Sequence, residues 1–202
     1  MLVNEIIPLG KGKARVCFDD GTDLCLYKKE LNIYNISEGC ELKDEDYDLI
    51  LNETLIPRAK KRAMHLLEKM DRTEAQLRDK LSCSGYPITA VDAALEYVKS
   101  YNYINDYRYA LNYISCYGEA RSRRRIKQDL LQKGMTSESI DRAIDEAYET
   151  DERKLAFDLI KKKKYDPSTA DDKDRARMYR FLASRGFSAS TIMSALNCAD
   201  LD

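Results

Sequence analysis

Apolar residues recur at helical spacing through most of the chain, from about residue 44 to the end. Pro57 suits the first turn of a helix, and Thr73 with Gln76 has the spacing of a capping box that opens a second. Thr89 is predicted to cap a third helix, which carries Val91, Leu95 and Val98. The spacing places the apolar face of the first helix at Ala63, Leu66, Leu67 and Met70.

The same three-helix pattern then recurs around Gly85, Gly134 and Gly186, which lie 49 and 52 residues apart. A first helix is predicted at about residues 57–70, 106–117 and 152–163, and a glycine turn separates the two helices that follow. Relative to each glycine, five positions carry matched apolar residues: Leu77, Ile126 and Met178; Leu81, Leu130 and Leu182; Val91, Ile140 and Ile192; Ala94, Ala143 and Ala195; Leu95, Ile144 and Leu196. A three-helix unit of this size buries too little alone, so the units are expected to stack.

The first thirty residues have a different pattern. Residues 3–9, 14–18 and 23–27 are short runs of β-branched and aromatic residues, separated by glycine-containing turns such as Asp20-Gly21. Such runs favour a small β-hairpin or meander. A lone hairpin is marginal in water, so it is expected to pack on a helix.

The predicted fold is therefore mainly α: three tandem three-helix repeats form an elongated, curved array behind a small N-terminal β-hairpin or meander. The predicted boundaries are 1–55 for the N-terminal extension with a connecting helix, then 56–104, 105–150 and 151–202 for the three repeats.

Charge is abundant but balanced: charged residues make up 34% of the chain, and the formal net charge is −1. The cations are nonetheless clustered, and such runs are usually solvated helix faces. The first candidate surface is Arg121, Arg123, Arg124, Arg125 and Lys127, because guanidinium groups bind carboxylates and phosphates well and cations at a helix start oppose its dipole. The second comprises Arg58, Lys61 and Arg62, within a run that also contains Lys60; Lys161 to Lys164 form a third basic run.

Candidate catalytic and metal sites are sparse. The six cysteines lie at least eight residues apart, which excludes the CxxC spacing of zinc and redox sites and favours free thiols in a reducing cytoplasm. His65, the only histidine, has no triad-like pattern around it. We therefore predict no enzyme, no metal and no cofactor. No signal peptide or membrane span is expected.

Tyrosines crowd residues 97–113, where Tyr97, Tyr101, Tyr103, Tyr107, Tyr109 and Tyr113 lie. Tyrosine suits interfaces and can stack on bases. Packing at the junction of two repeats is the favoured interpretation.

Four segments resemble the RecX family of regulatory proteins. They are TEAQLRDKL at 73–81 with the following Gly85-Tyr86, YNYINDYRYA at 101–110, IKQDLLQKG at 126–134 and RMYRFLASRGFS at 177–188. The N-terminal hairpin segment also resembles the strand-forming extension of some members, so the resemblance covers essentially the whole chain. Asn105 and Asp129 depart from the aspartate and glutamate that are usual in the family.

The resemblance implies a cytoplasmic bacterial regulator, acting in recombination, DNA repair and the SOS response. It would bind RecA, in the groove of the filament that RecA forms on single-stranded DNA, and would most simply inhibit its recombinase and co-protease activities. A monomer with at most weak DNA contact is expected. The first alternative is a direct DNA-binding helical module, since three-helix units with basic starts resemble helix-turn-helix domains. A less specific alternative is a helical-repeat scaffold for some other protein. The near-neutral net charge favours the regulator.

Overall fold

The computed structural model describes residues 1–197 and divides the chain into two compact units, Met1–Asn105 and the residues from Asp106 onward. The first unit begins with strands β1 (Val3–Gly10), β2 (Lys13–Phe18) and β3 (Asp23–Tyr27). Its helices are α1 (Lys28–Ile33), α2 (Asp44–Ile50), α3 (Ile56–Lys69), α4 (Glu74–Ser82) and α5 (Ile88–Ser100). The second unit contains α6 (Asp106–Tyr117), α7 (Arg123–Gln132), α8 (Ser137–Ala147), α9 (Glu152–Lys162), α10 (Asp172–Ser184) and α11 (Ala189–Asn197).

The N-terminal strands form the predicted meander. They pair antiparallel in the order β1-β2-β3. Alternate residues of β2 and β3, namely Val16, Phe18, Leu24 and Leu26, are buried and join the apolar core of α3, α4 and α5. The sheet is therefore stabilised by the helices behind it, as a small sheet requires.

Pro57 lies in the first turn of α3, as predicted, but α3 continues directly from α2 through a π-helical turn at Leu51–Leu55. In an α-helix, a proline ring crowds the carbonyl four residues earlier, and proline has no N–H to donate to that carbonyl. The wide turn falls at that position, Glu53, and accommodates the proline within a continuous helical segment.

Two details of the predicted first repeat are wrong. Met70 is exposed beyond the end of α3, so the buried stripe of this helix is Ala59, Ala63 and Leu66. Thr89 does not cap α5, because the carbonyl of Pro87 already accepts the first helical hydrogen bond, from the Val91 amide. The predicted capping box of Thr73 and Gln76 is confirmed.

The repeat is confirmed in its packing. Gly85, Gly134 and Gly186 have φ values of +83°, +82° and +87°, in the left-handed region that favours glycine. After each, the next amide donates back to the carbonyl of the matched leucine. All fifteen residues of the five matched columns are buried. The apolar residues of α6–α8 and of α9–α11 form two further clusters, each within its own three helices.

Candidate partner-binding surfaces

The first candidate surface lies at the start of α7, which is held in place by a buried serine. Ser122 caps the helix by accepting the Arg125 amide at 3.2 Å, and its own amide donates to the Arg185 carbonyl at 3.0 Å. A Cβ on Gly186 would lie 2.5 Å from the Ser122 hydroxyl. The turn between α10 and α11 therefore packs directly against the first turn of α7.

Two cations of this cluster bind one buried carboxylate. Asp129, whose side chain is 8% exposed, accepts from Arg121 at 2.5 Å and pairs with the Arg125 Nε at 3.0 Å. The Tyr113 hydroxyl donates to the same carboxylate at 3.1 Å. Burial, followed by the neighbouring Asp129 charge, raises the pKa of Tyr113 to about 12. The Arg121 guanidinium also lies over the Tyr117 ring, 4.4 Å from its centroid.

Two more cations of the cluster bind acidic residues of α8. Arg123 pairs with Asp145, and its amide donates to Glu152 at 2.8 Å. The Lys127 ammonium lies 2.6 Å from Asp141, and this hydrogen bond lowers the pKa of the Asp141 carboxyl. These pairs fasten α7 to its neighbour, so part of the predicted positive surface is already neutralised within the fold.

Arg124 is different. Its side chain is exposed and, within residues 1–197, forms no hydrogen bond or ion pair. Position explains the contrast, since Arg124 lies on the opposite face of α7 from Ile126 and Leu130, which enter the core. Of the five cations predicted here, Arg124 is the one in the described chain that is available to a partner without breaking an internal pair.

The second candidate surface lies on α3, in the first unit. Arg58 is turned inward: it pairs with Glu30, donates to the Cys25 carbonyl at 3.4 Å and lies over the Tyr27 ring. Lys61 and Arg62 are exposed, and no ion pair holds them within residues 1–197. The prediction therefore grouped one structural arginine with two available cations.

A groove beside Lys61 and Arg62 was missed by sequence reasoning. It has a volume of about 590 Å³ and is bounded by the sheet, by α3 and by the turn between α4 and α5. Its other lining residues include Lys13 of β2, Tyr27 of β3 and Tyr86 of the turn. No local sequence pattern predicts this groove, because the residues that line it include some that lie more than seventy positions apart in the chain.

Some members of the third basic run and of the tyrosine segment contact neighbouring side chains. In the third basic run, Lys161 and Lys163 lie over the rings of Phe157 and Phe181. Tyr107, Tyr109 and Tyr113 pack against the core of α6–α8, whereas Tyr101 and Tyr103 are exposed.

Within residues 1–197, no group of three or more histidine, cysteine, aspartate or glutamate side chains is placed to hold a metal ion. His65 is exposed, with its Nδ1 3.7 Å from Glu68. Five cysteines are free thiols, and Cys198 lies outside the described residues. No helix in the described part of the chain is long and apolar enough to cross a bilayer.

Comparison with known proteins identifies similar domains and chains. Residues 59–97 match the model of the first three-helix domain of RecX, and residues 151–196 match that of the third. The chain is 30% identical to "Regulatory protein RecX" of Clostridium beijerinckii over 183 residues, which is 88% of this chain and 84% of that protein. It is also 30% identical to "Regulatory protein RecX" of Caldanaerobacter subterraneus subsp. tengcongensis over 200 residues, covering 98% and 99% of the two chains.

Solved structures agree at the level of the fold. A crystal structure of regulatory protein RecX aligns with a TM-score of 0.59 at 22% identity, covering 96% of this chain and 98% of that one. The RecX structure from Lactobacillus salivarius aligns with a TM-score of 0.55 at 19% identity, over 72% and 96% of the two chains.

Proposed function

Because the chain belongs to the RecX family of regulatory proteins, we propose that it binds the filament of RecA on single-stranded DNA and inhibits its recombinase and co-protease activities. The observation that carries the proposal is the similarity to RecX over nearly the whole chain. The protein would act as a monomer, in the bacterial cytoplasm, without a cofactor or catalytic step.

Occlusion is the proposed mechanism. A bound regulator would cover filament surface that duplex DNA or a repressor substrate needs. Steric blocking requires a stable helical body and exposed charges for attachment. The cores of the three-helix repeats supply the first, and available cations such as Arg124, Lys61 and Arg62 supply the second.

Ion pairs within the fold determine which substitutions test this attachment. Reversing Arg123 or Arg125 would place a negative charge against Asp145 or Asp129 and disturb the packing of α7. Arg124→Glu changes the charge with no such internal effect. The control is Arg177→Glu, the same change at an exposed position of α10, where the arginine lies 3.7 Å from Asp174 but both side chains are more than half exposed, so solvent screens the pair.

Co-sedimentation with RecA filaments on single-stranded DNA tests the function, run beside RecA alone and DNA alone. Retention that requires the assembled filament, and that weakens for Arg124→Glu but not for Arg177→Glu, is the expected result. Equal retention on bare DNA, with the steep salt dependence of phosphate contacts, would instead establish a direct DNA-binding module. Retention on neither would refute both functions. If both variants bind like the parent, Arg124 is not a contact.

A further inference from the structure

Among residues 1–197, the side chains that line the groove of the first unit include four cations and two tyrosines but no aspartate or glutamate. The cations are Lys13 of β2 and Arg58, Lys61 and Arg62 of α3, and Lys13 lies more than forty positions from the other three in the chain. We propose that this groove docks an acidic peptide segment of the protein partner. The inference rests on the proposed function, because it assigns to that partner a site of contact and the chemistry of the segment that fits it.

The charge of the groove is only partly neutralised from within. Glu30 pairs with Arg58, but Lys13, Lys61 and Arg62 form no ion pair among residues 1–197. Three uncompensated positive charges around one concave surface create a local positive field, even though the net charge of the whole chain is −1. A segment with several carboxylates would neutralise it and form charge-assisted hydrogen bonds.

Arg58 makes the groove rigid. Besides its pair with Glu30, it donates to the Cys25 carbonyl and lies 4.8 Å from the centroid of the Tyr27 ring. These contacts link α3 to β3 and to the start of α1. The wall is therefore formed before a ligand arrives, so docking requires little ordering of the protein, which reduces the cost of binding.

The aromatic residues distinguish a peptide from a nucleic acid. Single-stranded nucleic acids bind by stacking bases on exposed aromatic faces. Lys13 and Arg58 lie 5.4 Å and 4.8 Å from the centroid of the Tyr27 ring, so cations already pack on the surface on which a base would stack. Tyr86 is half-buried, and burial raises its pKa while nearby Arg58 and Arg62 oppose that rise. Its hydroxyl is thus suited to donate a hydrogen bond beside two guanidiniums, and a carboxylate is the natural acceptor.

The test measures binding of a short fluorescein-labelled peptide of alternating glutamate and serine to the full chain, by fluorescence anisotropy. Lys61→Glu with Arg62→Glu should weaken binding on the order of tenfold or more, because two attractive contacts become repulsive. The control carries the same charge change at Lys43 and Lys69, exposed positions of the first unit outside the groove, and should bind like the parent. Lys61→Arg with Arg62→Lys should retain binding. Circular dichroism confirms that each variant is folded.

Two further arms separate this inference from the proposed function. An oligothymidylate is titrated in parallel; if it binds as tightly as the peptide and is lost with the same variant, the groove is a nucleic-acid site and the inference is wrong. Failure of the parent to bind the peptide, or equal weakening in the control, also overturns it. Filament co-sedimentation is scored independently. If the groove variant is retained on filaments like the parent, the proposed function stands but the groove is not its contact site. If the parent binds the peptide but is not retained on filaments, the groove proposal stands and the proposed function is refuted.

Discussion

Replacing Asp129 with asparagine removes a buried carboxylate that joins two arginines of the first candidate surface, Arg121 and Arg125. The side chain is 8% exposed, and it binds Arg121, Arg125 and the Tyr113 hydroxyl. Asparagine has nearly the same shape, so the change tests charge and hydrogen bonding rather than volume. If the cluster is in part structural, the variant must be less stable than the parent.

The expected magnitude follows from the partners. Hydrogen bonds to charged groups contribute roughly 1.5–3 kcal/mol each, and an amide retains one acceptor while it turns a donor toward the other guanidinium. The two guanidiniums are 31% and 39% exposed, so water compensates part of the loss. We expect the free energy of unfolding to fall by about 2 kcal/mol, less than the ~3–5 kcal/mol measured when fully buried pairs are broken.

Urea unfolding followed by circular dichroism measures the change. With a slope of roughly 2 kcal/mol per molar urea, the midpoint should fall by about 1 M. Hydrogen exchange of the α7 amides assigns the loss to the second unit, because those amides should exchange faster while those of α3 should not.

Asp141→Asn is the matched control. It is the same substitution at a carboxylate that also pairs with a cation of α7, Lys127, but with a side chain that is 45% exposed. Solvent screens this pair, so the midpoint should change much less than for Asp129→Asn. Equal midpoints for the two variants, or a parent-like midpoint for Asp129→Asn, would refute the conclusion that the buried carboxylate holds this part of the fold together.

Two further predictions follow from the same region. Gly186→Ala and Gly39→Ala both place an alanine at positive φ, which should cost about 1–2 kcal/mol of stability. Only Gly186→Ala directs a methyl group at the Ser122 hydroxyl, and this clash should cost about 1–3 kcal/mol more. Gly186→Ala should therefore have the lower melting temperature, and equal melting temperatures would contradict this. The tyrosines Tyr113 and Tyr148 have pKa values raised to about 12 by burial, each with a nearby carboxylate, while an unfolded tyrosine titrates near ~10. The unfolded state therefore loses these protons first, so stability should fall as pH rises from about 10 to 12, and Phe substitutions at both positions should reduce that slope; tyrosinate absorbance showing every tyrosine ionising near ~10 in the folded protein would refute it.

The repeat and its helices could be predicted from sequence because they depend on local rules. An apolar residue every three or four positions defines a buried face, and Leu81, Leu130 and Leu182 are all fully buried as that rule requires. Glycine at the end of a helix marks a left-handed turn, as at Gly134. The three strands could also be predicted, from short runs of β-branched and aromatic residues separated by turn residues.

Local rules failed where a neighbour competed with the predicted role. Thr89 has the right chemistry for a cap, but Pro87 starts the helix two residues earlier. Met70 continues the apolar spacing of α3, yet the helix ends before it and the side chain meets solvent. Spacing alone does not reveal where a helix stops.

The role of each cation was decided by tertiary structure. Arg124 and Arg125 are adjacent and chemically identical, but helix rotation turns one to solvent and brings the other to Asp129. The groove likewise exists only because the sheet docks beside α3 and brings Lys13 near Arg62. The sequence by itself determined the repeat of helices and the five apolar columns buried within it, because backbone periodicity is a local property. Which charges remain available to a partner depends on contacts between segments distant along the chain, and only the folded structure decides those.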